Sequence, residues 1–167
     1  MKFYAEIKTL TVKEFFQKAA QIAQLVHTNG HRAGLVGKIA LSFPDFALTG
    51  RPGTTIRIHA DSESDLSLLF NTQVPVLKAP EGAKLASFRN VDVKSLEKIR
   101  RRAERRGADT GCENYLKKDL SDTFFLPMYS ASSGRQFSLR VRASYGDNRD
   151  GSFNSYGLSI GGKVPVF

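Results

Sequence analysis

The hydrophobic pattern of this 167-residue chain changes its period within the first 26 residues. From Phe3 to Ile7, apolar residues alternate with polar ones, which is typical of a strand with one buried face. From Thr11 to Val26, apolar residues recur every three or four positions, which predicts an amphipathic helix that ends at Asn29-Gly30. The chain is therefore predicted to begin with a strand followed by a helix.

The following segments continue this alternation of strands and helices. The segment PDFALTGRPG (residues 44–53) is rich in turn-forming residues and is predicted to be a loop. The predicted strands run from Gly37 to Phe43 and from Thr54 to Ala60, and a short helix runs from Ser64 to Phe70. If the segment from Lys84 to Val93 is also a strand, the order becomes βαββαβ, the ferredoxin-like arrangement. Such a fold implies no function by itself.

The segment KSLEKIRRRAERRG, from Lys94 to Gly107, has seven positive and two negative side chains. On a helical wheel, five of the positive residues fall within a roughly 100° arc, opposite the apolar residues. Because charges of one sign repel each other unless a polyanion neutralises them, we predict a polyanion-binding helix. The alternative is an ordinary solvated helix face. The five residues are Lys94, Lys98, Arg101, Arg102 and Arg105.

The charge of the whole chain supports a polyanion as partner. There are 25 Lys and Arg against 16 Asp and Glu, a formal net charge of +9, and more than half of this excess lies between positions 94 and 106. Such a concentration favours phosphate backbone or anionic lipid. The apolar side of the predicted helix lacks the Trp and Phe of interfacial helices, so nucleic acid is the favoured partner and a membrane is not.

Few residues are candidates for catalysis or for binding a cofactor. Three His and one Cys give no zinc-binding spacing, and neither a nucleophile elbow nor a phosphate-binding loop is present, so we expect no metal and no cofactor. His27 lies at the predicted end of the first helix, where the helix dipole favours the protonated form. His31 is predicted to lie in a solvated loop, and His59 at an edge or surface position of a strand. The single Cys112 excludes an internal disulfide and favours the cytoplasm.

The second half of the chain is predicted to add strands to the basic helix. In RQFSLRVRA (residues 135–143), apolar residues alternate with polar and basic ones, which predicts a strand with one apolar and one basic face. Arg140 lies on the basic face. The fold class is therefore α+β.

Four segments then occur in an order that is typical of one family: SFPDF, RIHADSESDL, RRRAERR and YGLSIGGKVPVF. Together they resemble the type I-F CRISPR repeat-processing endoribonucleases of the Cas-six class, also called the Csy-four type. The resemblance extends over nearly the whole chain, from Lys2 to Phe167. It implies a ferredoxin-like endoribonuclease domain (residues 1–92) and a C-terminal domain (residues 93–167) whose arginine-rich helix lies in the groove of an RNA hairpin.

The resemblance also implies three catalytic residues. The helix-end histidine of the family matches His27, and His31 lies close enough to be an alternative. The family's serine matches Ser130 when the SASSG segment is aligned on its glycine, and Ser132 is the other possible alignment. The family's tyrosine, in YGLS, matches Tyr156. Without the resemblance, the serine is a turn residue and the tyrosine a core aromatic.

The RNA-binding residues follow from the resemblance and from the charge pattern. The groove-facing arginines of the family match Arg102, Arg105 and Arg106. Just before the helix, this chain has Arg89 and Asn90 where family members often have Arg and Gln, so the base contacts are expected to differ. The full set of predicted RNA-binding residues is Arg89, Asn90, Lys94, Lys98, Arg101, Arg102, Arg105, Arg106, Ser132 and Arg140.

The function implied by the resemblance is a sequence- and structure-specific endoribonuclease. It binds CRISPR repeat hairpins and cleaves precursor crRNA at the base of the stem by metal-independent attack of a 2′-OH, which yields a 2′,3′-cyclic phosphate and a 5′-OH. It is expected to remain bound to the mature crRNA with the other subunits of the type I-F surveillance (Cascade) complex, and to be a cytoplasmic monomer on its own. The alternative is a non-catalytic RNA-hairpin-binding subunit of a ribonucleoprotein.

Overall fold

The computed structural model describes residues 1–91, 123–130, 133–146 and 151–167 of the chain. Over these residues the protein is an α+β fold with two four-stranded antiparallel sheets, which confirms the predicted class. The predicted arginine-rich helix lies outside the described residues. The described elements, in chain order, are β1 (Phe3–Lys8), α1 (Val12–Arg32), β2 (Ala40–Ser42), α2 (Pro44–Thr49), β3 (Thr55–Ala60), α3 (Glu63–Phe70), β4 (Leu77–Lys78), β5 (Lys84–Asn90), β6 (Thr123–Tyr129), β7 (Gln136–Tyr145) and β8 (Val164–Val166).

The first sheet has the order β2-β3-β1-β4 and forms the ferredoxin-like part of the protein. Its fourth strand is β4, in which Leu77 and Lys78 pair with the start of β1. The strand predicted from Lys84 to Val93 exists as β5, but it does not supply this fourth position, because it pairs with β7 and β8 in the second sheet. A strand of two residues is too short to show a two-residue period, so β4 was not predicted.

Helix α1 is longer than its sequence pattern predicts. The side-chain amide of Asn29 donates a hydrogen bond to the carbonyl of Leu69 in α3 (2.9 Å), so this residue links two helices and does not end one. The helix continues to Arg32, and Gly34, with a φ of +67°, is the left-handed residue that follows its end. The predicted end at Asn29-Gly30 is therefore too early.

The segment between β2 and β3 contains helix α2, where the sequence predicted only a loop. Pro44 lies in the first turn, where the missing N–H costs no hydrogen bond. Gly50, with a φ of +70°, ends the helix in the left-handed conformation. A helix of six residues between a proline and a glycine has too few positions to show a helical period.

The second sheet has the order β6-β7-β5-β8. The predicted strand of residues 135–143 is β7, which pairs with β6 over the full length of β6. Alternate residues of β6 are buried on the face that contacts α1, namely Phe124, Leu126 and Met128. Helix α1 therefore packs against the second sheet as well as against α3 and β3 of the first part of the chain.

A cluster of phenylalanines joins the two sheets. Phe43 and Phe46 come from the SFPDF segment, Phe15 from α1, Phe88 from β5 and Phe124 from β6. The contacting rings meet edge to face with centroids 4.8 to 6.0 Å apart, which is a favourable geometry for aromatic pairs. Because the cluster draws on both halves of the chain, the two sheets share one hydrophobic core.

Candidate active site

His27 lies on α1 and is half-buried, five residues before the helix ends. The prediction that it lies at the C-terminus of the helix is wrong, because the helix continues past Gly30 to Arg32. The helix dipole acts mainly on the last turn, so it does not determine the protonation state of His27. That state depends on the groups that surround the ring.

A tight turn holds Tyr156 next to α1. The side-chain oxygen of Asn154 accepts hydrogen bonds from the N–H groups of Tyr156 (3.0 Å) and Leu158 (2.9 Å). Gly157 has a φ of +76°, and its carbonyl accepts a hydrogen bond from the N–H of Leu41 in β2 (2.8 Å). A Cβ atom at position 157 would lie 3.0 Å from the side chain of Leu41. Both the backbone conformation and the space therefore require glycine here.

The ring of Tyr156 stacks on the imidazole of His27. The two centroids are 4.5 Å apart and the ring planes differ by 13°. The Nδ1 atom of His27 is buried and has no hydrogen-bond partner among the described residues, so Nε2 is the ring nitrogen available to a ligand. The stacking contact, more than a hydrogen bond, fixes the orientation of this imidazole.

Ser130 follows β6 and begins the turn that leads into β7. Its N–H donates a hydrogen bond to the carbonyl of Arg135 (2.9 Å), and its carbonyl accepts one from the N–H of Gly134 (2.9 Å). Its Oγ accepts hydrogen bonds from the hydroxyl (2.8 Å) and the N–H (3.3 Å) of Ser133. Both the backbone and the hydroxyl of Ser130 are thus fixed by the turn. The alternative residue, Ser132, lies outside the described residues.

His27, Ser130 and Tyr156 line a single cleft of about 440 Å³. Three separate parts of the chain supply them: α1, the β6–β7 turn and the turn before β8. Four further residues line the cleft, and sequence reasoning had named one of them, His31, as the alternative to His27. Helical spacing on α1 could have indicated positions 24 and 28 as well, because they lie three residues before His27 and next to it. The four residues are Gln24, Thr28, His31 and Arg32.

The histidines of the cleft influence each other electrostatically. His31 was predicted to lie in a loop, but it lies in the last turn of α1, and its ring meets that of His27 edge-on with centroids 5.0 Å apart. Burial, and to a smaller extent the charge of His31, lowers the pKa of His27 below its ordinary value of 6.5. His27 is therefore neutral at pH 7 and can accept a proton. A neutral imidazole beside Arg32 and His31 can accept a proton from a hydroxyl that lies next to a phosphate group, and the charge of Arg32 can stabilise that phosphate.

A larger groove of about 630 Å³ adjoins this cleft and shares Gln24 with it. It is formed by α1 and the β6–β7 hairpin, and the described residues that line it include Met128, Tyr129 and Phe137 but no histidine. Proton transfer near neutral pH requires a group that titrates there. The smaller cleft is therefore the candidate active site.

The predicted RNA-binding residues that the structure describes lie on the second sheet. Arg89 and Asn90 are exposed at the end of β5. Arg140 is only 6% exposed: its Nε donates a hydrogen bond to the hydroxyl of Thr123 (3.1 Å), and its guanidinium lies 5.0 Å from the ring centre of Phe125. Arg140 lies on the predicted basic face of β7, and its side chain contacts Thr123 and Phe125 of the protein itself. The other predicted RNA-binding residues lie outside the described residues: Lys94, Lys98, Arg101, Arg102, Arg105, Arg106 and Ser132.

His59 is a core residue, so the prediction of an edge or surface position is wrong. Strand β3 lies between β1 and β2 and is buried on both faces. The Nε2 atom of His59 is 2.8 Å from the hydroxyl of Ser42, with which it shares a hydrogen bond. Burial, followed by the charges of Arg57 and the N-terminal amino group, lowers the pKa of His59 to about 3. The Ile-Arg-Ile-His pattern did not reveal this burial because Arg57 is itself buried and paired with Glu6 (2.7 Å).

The ranges 1–91, 123–130, 133–146 and 151–167 contain neither a candidate metal site nor a candidate membrane-spanning helix. Within them, no group of three or more His, Cys, Asp or Glu side chains could hold a metal ion. No helix in the same ranges is long and apolar enough to cross a lipid bilayer.

Known proteins are similar in sequence to this chain. Residues 4–167 match the family model described as CRISPR-associated protein (Cas_Csy4). The chain is also 29% identical, over 191 aligned positions, to the CRISPR-associated endonuclease Cas6/Csy4 of Pseudomonas aeruginosa (strain UCBPP-PA14). That alignment covers the whole length of both proteins.

Proposed function

Since its residues 4–167 match the family model, this chain belongs to the Csy4 family of CRISPR-associated proteins, and we propose that it is an endoribonuclease that processes CRISPR repeat RNA. The relative from P. aeruginosa is named as an endonuclease, and we extend that activity to this chain. The observation that carries this proposal is that His27, Ser130 and Tyr156, distant in sequence, line one cleft.

The proposed reaction uses the RNA itself as the source of the nucleophile. A ribose 2′-OH lies next to the scissile phosphate, so the protein needs to supply a base and to hold the reacting atoms in line. In this mechanism Nε2 of His27 removes the 2′ proton, the 2′-oxygen attacks phosphorus and the 5′-oxygen leaves. The products are a 2′,3′-cyclic phosphate and a 5′-hydroxyl, and no metal ion takes part. The lowered pKa of His27 supports this role, because a base must be unprotonated at neutral pH.

The other two residues of the cleft have supporting roles in this mechanism. Tyr156 is a positioning residue, since its ring stacks on His27 and holds Nε2 toward the RNA. Ser130 contacts the attacking hydroxyl and keeps it in line with the bond that breaks, which its rigid turn favours. Arg32 offsets the negative charge that develops on the phosphate.

Substrate recognition is assigned to the basic segment and to the end of β5. We place Arg102, Arg105 and Arg106 in the groove of the repeat hairpin, with Arg89 and Asn90 near the base of the stem. The concentration of positive charge between positions 94 and 106 supports this assignment. After cleavage the protein stays on the mature crRNA as a subunit of a type I-F Cascade complex.

The direct test is incubation of the purified protein with the hairpin repeat encoded beside its own gene, in excess chelator. We expect one cut at the base of the stem, and mass spectrometry of the fragments should find a 2′,3′-cyclic phosphate and a 5′-hydroxyl. A strict requirement for Mg²⁺ would contradict the metal-independent mechanism. The second candidate, a non-catalytic hairpin-binding subunit, predicts that wild type and His27→Ala bind equally and that neither cuts.

A further inference from the structure

The cleft contains a second imidazole that the proposed mechanism does not use. His31 lies one helical turn after His27 on the same face of α1, and both line the cleft with Arg32. The two ring centroids are 5.0 Å apart and the planes are nearly perpendicular, at 83°. His31 is exposed, so its ring nitrogens are accessible to a ligand in the cleft.

Cleavage by a 2′-OH requires two proton transfers. The attacking oxygen loses a proton, and the departing 5′-oxygen would leave as an unstable alkoxide unless it gains one. In an in-line displacement these two oxygens lie on opposite sides of one phosphorus atom. The proposed function assigns a residue only to the first transfer. A second group must therefore lie close enough to the same phosphate to protonate the departing 5′-oxygen.

We propose that His31 is the general acid that protonates the departing 5′-oxygen. This role rests on the proposed endoribonuclease function. The 2′-hydroxyl proton passes to Nε2 of His27 as the bond from the 2′-oxygen to phosphorus forms. The bond between phosphorus and the 5′-oxygen breaks, and its electron pair takes a proton from the protonated imidazole of His31. The reaction ends with His27 protonated and His31 neutral, and exchange with water restores both.

The two rings have different surroundings. His27 is half-buried and stacked against Tyr156, and its lowered pKa keeps it neutral. His31 is exposed in the last turn of α1 and lines the same cleft. The cleft therefore holds one half-buried and one exposed imidazole, and we assign the first transfer to the half-buried ring and the second to the exposed ring.

The other groups that face His31 in the cleft are less suited to this transfer. They are Gln24, His27, Thr28 and Arg32 on α1, Tyr156 in the turn before β8 and Ser130 in the β6–β7 turn. The amide of Gln24 has no acidic proton, and the hydroxyl of Thr28 donates a hydrogen bond to the carbonyl of Gln24 (2.7 Å). Arg32 does not release its proton near neutral pH. Tyr156 stacks flat on His27, and the proposed mechanism already places the hydroxyl of Ser130 at the attacking 2′-oxygen. Since His27 is assigned to the first transfer, His31 is the remaining imidazole in this set, and its ring is exposed.

The test replaces the bridging 5′-oxygen at the cut with sulfur. A thiolate leaves without being protonated, because thiols ionise far more readily than alcohols. On the ordinary RNA hairpin, we expect His31→Ala and His31→Gln to cleave about 10²- to 10⁴-fold more slowly than wild type. On the sulfur-substituted hairpin, both should cleave at nearly the wild-type rate. His27→Ala should be slow on both substrates, because the 2′ proton must still be removed.

The matched control is Lys13→Ala, an exposed change on α1 about 21 Å along the helix from His27. It should cleave both substrates like wild type, and filter binding should show that all variants hold the hairpin. If His31→Ala is equally slow on both substrates, or slow on neither, His31 is not the general acid. A wild-type protein that cuts neither substrate would overturn the proposed function and this role with it.

Discussion

At the scale of single residues, the imidazole of His27 depends on its neighbours for both orientation and protonation. Its face is covered by Tyr156 at 4.5 Å, and its Nδ1 has no hydrogen-bond partner among the described residues. The sequence could indicate His27 through its resemblance to a family. It could not indicate the lowered pKa, because burial and the position of His31 depend on where α1 ends.

The stacking contact leads to a prediction about the ring and the hydroxyl of Tyr156. Tyr156→Phe keeps the ring, so it should cleave the repeat hairpin at close to the wild-type rate. Tyr156→Leu removes the flat surface, and a shift of His27 by about 1 Å should slow cleavage by about 100-fold with little change in binding. Single-turnover rates measured beside binding titrations distinguish the two variants. Equally slow cleavage by both would show that the hydroxyl matters more than the stack.

The buried His59 leads to a prediction about stability in acid. Its folded-state pKa of about 3 lies below the ordinary value of 6.5, so the unfolded chain binds the proton more strongly. This contribution to stability is full above about pH 6.5 and falls away as the pH drops toward 3, at about 1.4 kcal/mol per pH unit. Urea unfolding between pH 7 and 4 measures it. His59→Gln, which can still bond with Ser42, should have a shallower slope, and an unchanged slope would contradict this explanation.

At the scale of elements, short elements and chain reversals were the features that the sequence predicted least well. Helix α2 and strand β4 have six and two residues, and neither shows a period. The long elements α1 and β7 were correctly predicted to be a helix and a strand because their patterns repeat several times. The end of α1 was missed because Asn29 makes a long-range hydrogen bond to Leu69 that no local signal indicates. Two of the candidate site residues, His31 and Arg32, lie in that missed turn.

The turn that carries Tyr156 can be tested with two glycine substitutions. Gly157 and Gly82 have nearly the same φ, +76° and +75°, but a Cβ would contact Leu41 and Val26 at position 157 and no atom at position 82. Gly82→Ala should cost about 1–2 kcal/mol of backbone strain. Gly157→Ala should cost a further 1–3 kcal/mol, roughly, from overpacking and should slow cleavage by moving Tyr156. Chemical denaturation and cleavage rates of the pair provide the check. Equal stability in both would mean that close packing at Gly157 is unimportant.

The arginine-rich segment remains a sequence prediction and can be tested by its salt dependence. Arg102→Ala combined with Arg105→Ala should weaken hairpin binding and lower the slope of log K against log salt by about 0.7 to 0.9 for each phosphate group that is no longer neutralised. Binding titrations from low to 200 mM salt, roughly, measure this slope. Wild-type affinity and slope in the double variant would mean that the segment is an ordinary solvated face.

At the scale of the whole molecule, the two sheets form one structural unit around a shared core. Phe43 contacts Phe124 and Phe88, which belong to the second sheet, while its own segment lies beside the first. The sequence predicted the α+β class and the ferredoxin-like half, because these depend on local periods. It did not predict that β5 leaves the first sheet or that α1 packs against β6, because strand pairing between distant segments has no local signature.

This shared core also explains how the candidate active site is assembled. His27 comes from α1, Ser130 from the β6–β7 turn and Tyr156 from the turn before β8, and α1 is the element that contacts both halves. The site is therefore a property of the whole fold. We propose that this site cleaves RNA by using the 2′-OH beside the scissile phosphate, with His27 as the base.

The most direct test of this mechanism uses a repeat hairpin with a single deoxyribose immediately upstream of the cut. This change removes the attacking atom but keeps the hairpin, its phosphates and nearly all of its protein contacts. Fragment gels beside filter-binding titrations should show wild-type affinity and no cleavage, and His27→Ala on unmodified RNA should show the same. Efficient cleavage of the deoxy-substituted hairpin would contradict the 2′-OH mechanism, because a different nucleophile would then have to attack the phosphate.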